Sequence, residues 1–291
     1  MPTTKVLNDK DIGALLRGVK LPPQPGVMIE LYKLLAKPDL DLRVIAQVIE
    51  RDLSLAARVL KVVNSPLYGL GRTIDSIPRA VQLLGVRNLV HVVTAVSLRQ
   101  AMENHSHPLT DRFFDLAHDI ALIAAGLAER YGVMPADQAY TLGLFHDCGM
   151  LLMLQRFPDY GAFIEQTGVT SGEALVELEN ARYDTNHAVV GYFLCRGWRL
   201  PDAVTEAVAR HHRVRDVLAE HAAAKAAGHV DDGLAARVAL VSLADAIGAR
   251  LRAGDALMEV GDALHDVLAF FDIGEQEFGF LCEEMRDLLA D

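Results

Sequence analysis

Apolar residues return every three or four positions along most of the chain, and strict alternation seldom persists beyond a few residues, so the pattern predicts helices throughout. Between Leu42 and Val63, Val44, Ile45, Val48 and Ile49 form one apolar face. Leu53, Leu55, Ala56, Val59, Leu60 and Val63 form another, and the break near Asp52-Leu53-Ser54 predicts two helices with a tight corner. Asn64-Ser65-Pro66 stops the second helix, because the residue before a proline is pushed out of helical geometry and Pro66 has no amide hydrogen. Asp75 or Ser76 caps the next helix, which ends at Gly85, and a further apolar helix spans Leu89 to Met102. The polar, proline-containing stretch from Glu103 to Pro108 marks a division: residues 1–107 form an N-terminal helical lobe, and residues 108–291 a second lobe with C-terminal helices.

The second half opens with a long amphipathic helix from Phe113 to Tyr131, then one from Ala136 through Leu154 that contains His146-Asp147. A helix from Glu173 to Ala181 leads through Tyr183-Asp184-Thr185-Asn186 to another beginning at His187. Leu200-Pro201-Asp202 starts the next, which runs to His211-His212. Ala219 to Gly233 reads as a loosely packed connector, and closing helices cover Leu234 to Leu251 and Glu275 to Ala290. The fold class is all-α.

Composition agrees with a folded chain: 51% of the 291 residues are hydrophobic and 23% charged. The 28 basic against 39 acidic residues leave a formal charge of −11, which repels phosphate backbones and anionic lipid surfaces and disfavours non-specific binding to nucleic acid or membrane. No apolar run is long enough for a membrane span or a signal core, so a cytoplasmic protein is expected. Cys148, Cys195 and Cys282 stand singly, which argues for packed thiols rather than a disulfide framework.

The chemistry centres on His146-Asp147, set in an apolar and glycine-rich segment. His187 at a helix start, His211-His212 at a helix end and Asp245 on an apolar helix complete a donor set suited to divalent transition metals, which activate water against phosphoesters. The alternative is structural: His146 and Asp147 bond to each other or to helix ends, His211-His212 complement a helix C-terminus, and Asp245 pairs with one of them.

At these residues the chain resembles the HDOD family, the HD-related output domain. Leu21-Pro22-Pro23-Gln24-Pro25, the Asn64-Ser65-Pro66-Leu67-Tyr68-Gly69 motif and Leu83-Leu84-Gly85 with Leu89 carry the resemblance in the first half. His146-Asp147, Glu179 eight residues before His187, Gly191, Trp198-Arg199-Leu200-Pro201 and His211-His212 carry it in the second, with Asp245 beyond. The resemblance implies an N-terminal helical lobe packed on an HD-like helical lobe, used in bacterial signalling. Catalytic members of the wider HD superfamily add a histidine from an earlier helix, and this chain has Leu116 at that position. His118 is the nearest histidine, but two residues turn a helix by about 200°, so it leaves the opposite side. The glycine-tyrosine-proline motif of related cyclic-dinucleotide phosphodiesterases is absent after His211-His212, where Arg213-Val214-Arg215-Asp216-Val217 follows.

The expectation is therefore a regulatory output module that contacts other signalling proteins, without catalysis and without a cofactor. The alternatives are a metal-dependent phosphohydrolase or phosphodiesterase using the six donors, and a sensor whose vestigial pocket binds a nucleotide without turning it over. Asn64 and Ser65 are expected to serve as capping and turn residues, and Trp198 as a core anchor beneath a helix start.

Overall fold

The corner predicted near Asp52 is made by that residue's carboxylate, which accepts hydrogen bonds from the amides of Ser54 and Leu55, both at 3.0 Å. An aspartate here satisfies amides that the first turn of a helix cannot pair internally. Thus α3 (Leu42–Glu50) ends and α4 (Leu53–Val63) begins almost without a connection. Asn64 stops α4 by gripping two stretches of backbone. Its side-chain amide donates to the carbonyls of Leu60 and Ile74, both at 2.8 Å, and its oxygen accepts from the Ile74 amide at 2.6 Å. That is the structural role expected of it.

The computed structural model describes residues 9–37, 39–64, 73–102, 108–167, 172–229, 233–253 and 262–290. The Ser65 expectation falls outside them. Among the described residues there is no strand. Before α3 lie α1 (Asp9–Leu16) and α2 (Gly26–Leu35), and after α4 comes α5 (Ile77–Met102). Then follow α6 (Pro108–Tyr131), α7 (Ala136–Phe145), α8 (Cys148–Arg156), α9 (Tyr160–Thr167), α10 (Glu173–Tyr183) and α11 (His187–Gly197). The chain closes with α12 (Asp202–Arg210), α13 (Val214–Ala226), α14 (Leu234–Ala253), α15 (Asp262–Phe270) and α16 (Glu275–Ala290). Gly85 divides α5 into two arms, at φ 75° and ψ 162°, a conformation closed to residues with a side chain. This is the break predicted there.

Two apolar clusters hold these helices. The first joins α2, α3, α4 and most of α5 through residues such as Leu31, Ile49, Val59 and Leu89. The second, larger one joins α6, α7, α8, α11, α12 and α14 through Ala121, Phe145, Leu152, Val190, Val204 and Leu240, and takes in Leu98 and Met102 from the end of α5. Trp198 ties the N-terminal segment to it. Its ring is fully buried, packs edge-on against Phe145 with centroids 6.0 Å apart, and donates from Nε1 to the Pro22 carbonyl at 3.0 Å. Its own carbonyl accepts from the Gln24 side chain. Trp198 is thus the core anchor expected of it. No single described helix is long and apolar enough to cross a membrane, and the three cysteines are buried and free.

Two predicted elements need correction. The single helix expected from Ala136 through Leu154 is two, α7 and α8, because Asp147 leaves helical geometry at φ −104° and ψ 10°. The turn brings the start of α8 into backbone contact with the start of α11, at Gly149 and His187. Apolar spacing continues across this corner and so does not reveal it. The connector expected over Ala219 to Gly233 is largely helical in α13, leaving aside residues 230–232, which are not described. Its alanines are strong helix formers that need little packing, Val214 and Val217 bury its first turn, and Arg215 ties it to Asp266 on α15 at 3.1 Å. The helices α1, α2, α9 and α15 have no counterpart in the predicted elements.

Candidate metal centre

Four helix ends meet at the corner between α7 and α8. His146 closes α7, and Asp147 stands before α8. His187 is the first residue of α11, placed there because Asn186 caps that helix by accepting from the Val189 amide at 3.0 Å. Pro201 begins α12 as its N-cap, and His211 and His212 follow that helix's last turn. Gly191 lets α11 lie close to α8 and α12. A side chain there would meet the Cys148 sulfur at 3.4 Å and Val208 at 3.2 Å.

The result is one carboxylate facing three imidazoles. Asp147 Oδ1 lies 3.0 Å from His211 Nε2, 3.3 Å from His187 Nε2 and 3.6 Å from His212 Nε2. His187 Nε2 and His212 Nε2 are 2.7 Å apart. One atom from each of these residues falls within 4.8 Å of all the others. A tetrahedral ion with bonds of about 2.0–2.1 Å separates its ligands by about 3.3 Å, so the carboxylate-to-imidazole spacings match such a shell and the imidazole pair is slightly tighter.

Protons in the surroundings direct the lone pairs inward. His211 Nδ1 donates to the Val208 carbonyl at 2.7 Å, His146 Nδ1 to the Gly143 carbonyl at 2.7 Å, and His187 Nδ1 to Glu179 Oε2 at 2.7 Å. Each Nε2 therefore reaches the centre as a lone pair unless it gains a further proton. With Nδ1 bound to Val208, the 3.0 Å approach of His211 Nε2 to Asp147 Oδ1 is favourable when a proton or a cation lies between them. His146 Nε2 is buried with no hydrogen-bond partner, although it comes within 3.2 Å of Asp147 Oδ2. The donor set of one carboxylate and three imidazoles fits a divalent transition metal.

Glu179 is the outer support. It is fully buried, accepts from the His187 amide at 3.0 Å as well as from its ring, and takes the Tyr160 hydroxyl as a third donor. Carboxylates behind a ligating histidine orient the ring and raise its basicity. In Glu179→Gln one charged acceptor becomes an NH2 group, so either the Tyr160 hydroxyl must turn to accept from it or the two His187 donors lose their shared oxygen. The expected cost is about 2–3 kcal/mol of stability and about 10–100-fold in metal affinity, read by urea unfolding and by competition with a chelating dye.

The charges follow from burial and from Asp147. Burial opposes the imidazolium forms of His146 and His187, but Asp147 outweighs it for His146, raising that pKa to about 9, and Glu179 with Asp147 raises His187 to about 10. Burial, with His212 beside it, lowers His211 to about 3, and burial lowers His212 to about 4. Burial works against the Asp147 carboxylate, yet the charge of His146 holds its pKa well below the ordinary range.

Linkage then sets the pH response of the metal-free protein. His146 and His187 contribute stability that is complete below their unfolded pKa of 6.5 and is lost as pH rises through 9 and 10. As pH falls from 6.5 toward 4 and 3, the unfolded chain takes up protons that native His211 and His212 refuse, so stability falls on that side too. The melting temperature of chelator-treated protein is expected to peak near neutral pH. A steady rise into the alkaline range would contradict this charge arrangement.

The remaining sequence candidates, His146, Asp245 and His118, lie outside the four-donor set. Asp245, half-buried on α14, interacts electrostatically with His146, Asp147 and His211, and burial raises its pKa. His118 Nδ1 instead lies 3.1 Å from the Tyr140 hydroxyl. Tyr160, which completes the support of Glu179, carried no sequence signal, because its contact spans two helices and the loop between them.

Comparison with known proteins gives a consistent fold. The HDOD domain matches residues 21–214. An uncharacterised protein of Treponema pallidum is 26% identical over 198 residues, which are 67% of this chain and 38% of that protein. The uncharacterised protein YuxH of Bacillus subtilis is 30% identical over 123 residues, 40% of this chain and 28% of that one. The chain thus spans well under half the length of either relative. Among solved structures, an HDOD domain protein of unknown function from Geobacter sulfurreducens is 23% identical, with a TM-score of 0.71 over 96% of this chain and 93% of that one. A candidate phosphohydrolase from Shewanella amazonensis is 21% identical, with a TM-score of 0.70 over 94% of each chain.

Proposed function

The chain belongs to the HDOD family, and on that premise we propose that it is a cytoplasmic signalling output module that acts through contacts with other proteins. Its second lobe is held by one divalent transition metal in a closed site that performs no hydrolysis. One observation carries this reading: the four donors meet almost out of reach of solvent. Their side chains are 0% exposed for His187, 3% for His211, 8% for His212 and 15% for Asp147. Hydrolytic metal sites keep a coordination position open to water and substrate, whereas structural sites fill it with protein ligands. Here Asp147, His187, His211 and His212 would hold the ion. When bound, it supplies the positive charge that lets four lone pairs share one small space. Among the described residues the four-donor set contains no group from α6, where Leu116 stands and His118 turns to Tyr140.

Elemental analysis of natively purified protein tests the metal, with about one equivalent of zinc or a similar ion expected, together with no turnover in a screen of nucleotide phosphoesters. Crosslinking in extracts tests the contacts, with a partner captured by the native protein and lost after metal removal. Metal-free protein from supplemented medium would remove the metal from the reading. Phosphoester turnover abolished by Asp147→Ala would replace the output module with an enzyme.

A further inference from the structure

A cavity of about 600 Å³, lined by none of the four donors, opens between α4 and the second arm of α5 on one wall and α6 and α7 on the other. That volume lies within the range of small-molecule sites. The two walls belong largely to different apolar clusters, so an occupant would touch both halves of the fold.

Its charge runs opposite to that of the chain. Arg58 and Lys61 from α4 and Arg99 from α5 line it, against the single carboxylate of Asp115. Counting Asp111, which pairs with Arg99, three cations still outnumber two carboxylates, a local preference for negative charge in a protein with 39 acidic and 28 basic side chains. Exposed Lys61 forms no ion pair with the described residues. Arg99 is held in place from two sides, by Asp111 at 2.7 Å and by the Phe114 ring, whose centroid lies 5.3 Å from its guanidinium carbon. Fixed guanidinium and mobile ammonium groups are the usual partners of phosphoryl oxygens.

The inner wall has a different chemistry. Phe114, Val96 and Leu144 are buried and apolar, and Tyr140 and His118 place a polar pair beside them, hydroxyl to Nδ1 at 3.1 Å. Burial lowers the His118 pKa against the pull of Asp119 and Asp115, so this pair adds hydrogen-bonding capacity without a further charge. An inorganic anion would leave such a wall unused.

We propose that this cavity binds a small phosphorylated molecule bearing a flat ring, a nucleoside polyphosphate by class. Its phosphates meet Arg58, Lys61 and Arg99, and its ring lies along Phe114 and Tyr140. The site supplies an input to the module, and it does not rest on the metal centre.

Calorimetric titration of the full chain with ATP and with GTP tests it, beside arms with inorganic triphosphate and with the free nucleosides. The expected result is saturable, one-to-one binding of at least one nucleotide, with both fragments weaker by about tenfold or more. Lys61→Gln should weaken binding about tenfold, and Ala95→Phe, which fills the cavity, should abolish it. Lys33→Gln, on α2, should leave it unchanged. Circular dichroism and metal content of the same samples separate a lost ligand site from a lost fold or metal, and Lys61→Gln at an exposed position decides the matter if Ala95→Phe does not fold. No saturable nucleotide binding, binding indifferent to both cavity variants, or inorganic triphosphate binding as tightly as the nucleotides overturns the proposal.

Discussion

Asp147→Ala is expected to purify without bound metal and to be less stable by about 3–5 kcal/mol, the usual cost of removing one member of a buried charged cluster. Asp147 Oδ1 is the atom shared by His187, His211 and His212, and its other oxygen stands 3.2 Å from His146 Nε2. Without it, the inward nitrogens face one another across the gap that the carboxylate filled, and the 2.7 Å approach of His187 and His212 loses the charge that offsets it. Elemental analysis and chemical denaturation measure the two effects. His118→Ala is the informative control. His118 bonds to Tyr140 and stands apart from the four donors, so metal content should not change. Full metal occupancy in Asp147→Ala would show that the donors act without their central oxygen.

Gly149→Ala is expected to leave no native protein, although it adds a single methyl group. An added Cβ at Gly149 would sit 1.9 Å from the His187 carbonyl oxygen and 2.7 Å from the Gly191 amide nitrogen. Both are backbone atoms of α11, so the clash is relieved only by moving α8 and α11 apart. Overpacking that side chains absorb costs about 1–3 kcal/mol, and a clash with backbone this deep should exceed it. Separating the helices would also carry His187 away from Asp147, so any residual folded fraction should lack metal. Gly279→Ala provides the contrast. It lies exposed within α16 with nothing within 4 Å of an added Cβ, and should raise stability by up to about 1 kcal/mol through helix propensity alone. Soluble expression, circular dichroism and melting temperature distinguish the two. A well-folded Gly149→Ala would mean that α8 and α11 do not cross as closely as described.

The four donors that converge were legible as residue types: His187 and His211-His212 at predicted helix ends, and Asp147 beside His146 inside a single predicted helix. Asp147 as their hub was not. Its position depends on a corner between α7 and α8 that apolar spacing runs straight across, and on two glycines, Gly149 and Gly191, whose need for close approach is visible only once α8, α11 and α12 are assembled. Glu179 stood out only through the family resemblance, and the structure makes it the ring's outer acceptor. The cationic cavity was invisible for a simpler reason. Arg58, Lys61 and Arg99 look like ordinary solvated positions on separate helices, and only packing turns them toward one space.

Hydrophobic periodicity, capping residues and proline breaks determine the all-α class, the corner at Asp52, the stop at Asn64 and the break at Gly85, because each acts through neighbours a few residues away. Tertiary packing alone decides which donors share an ion and which remain outside it, since distances of about 3 Å between α8, α11 and α12 depend on helix crossings that no local rule encodes.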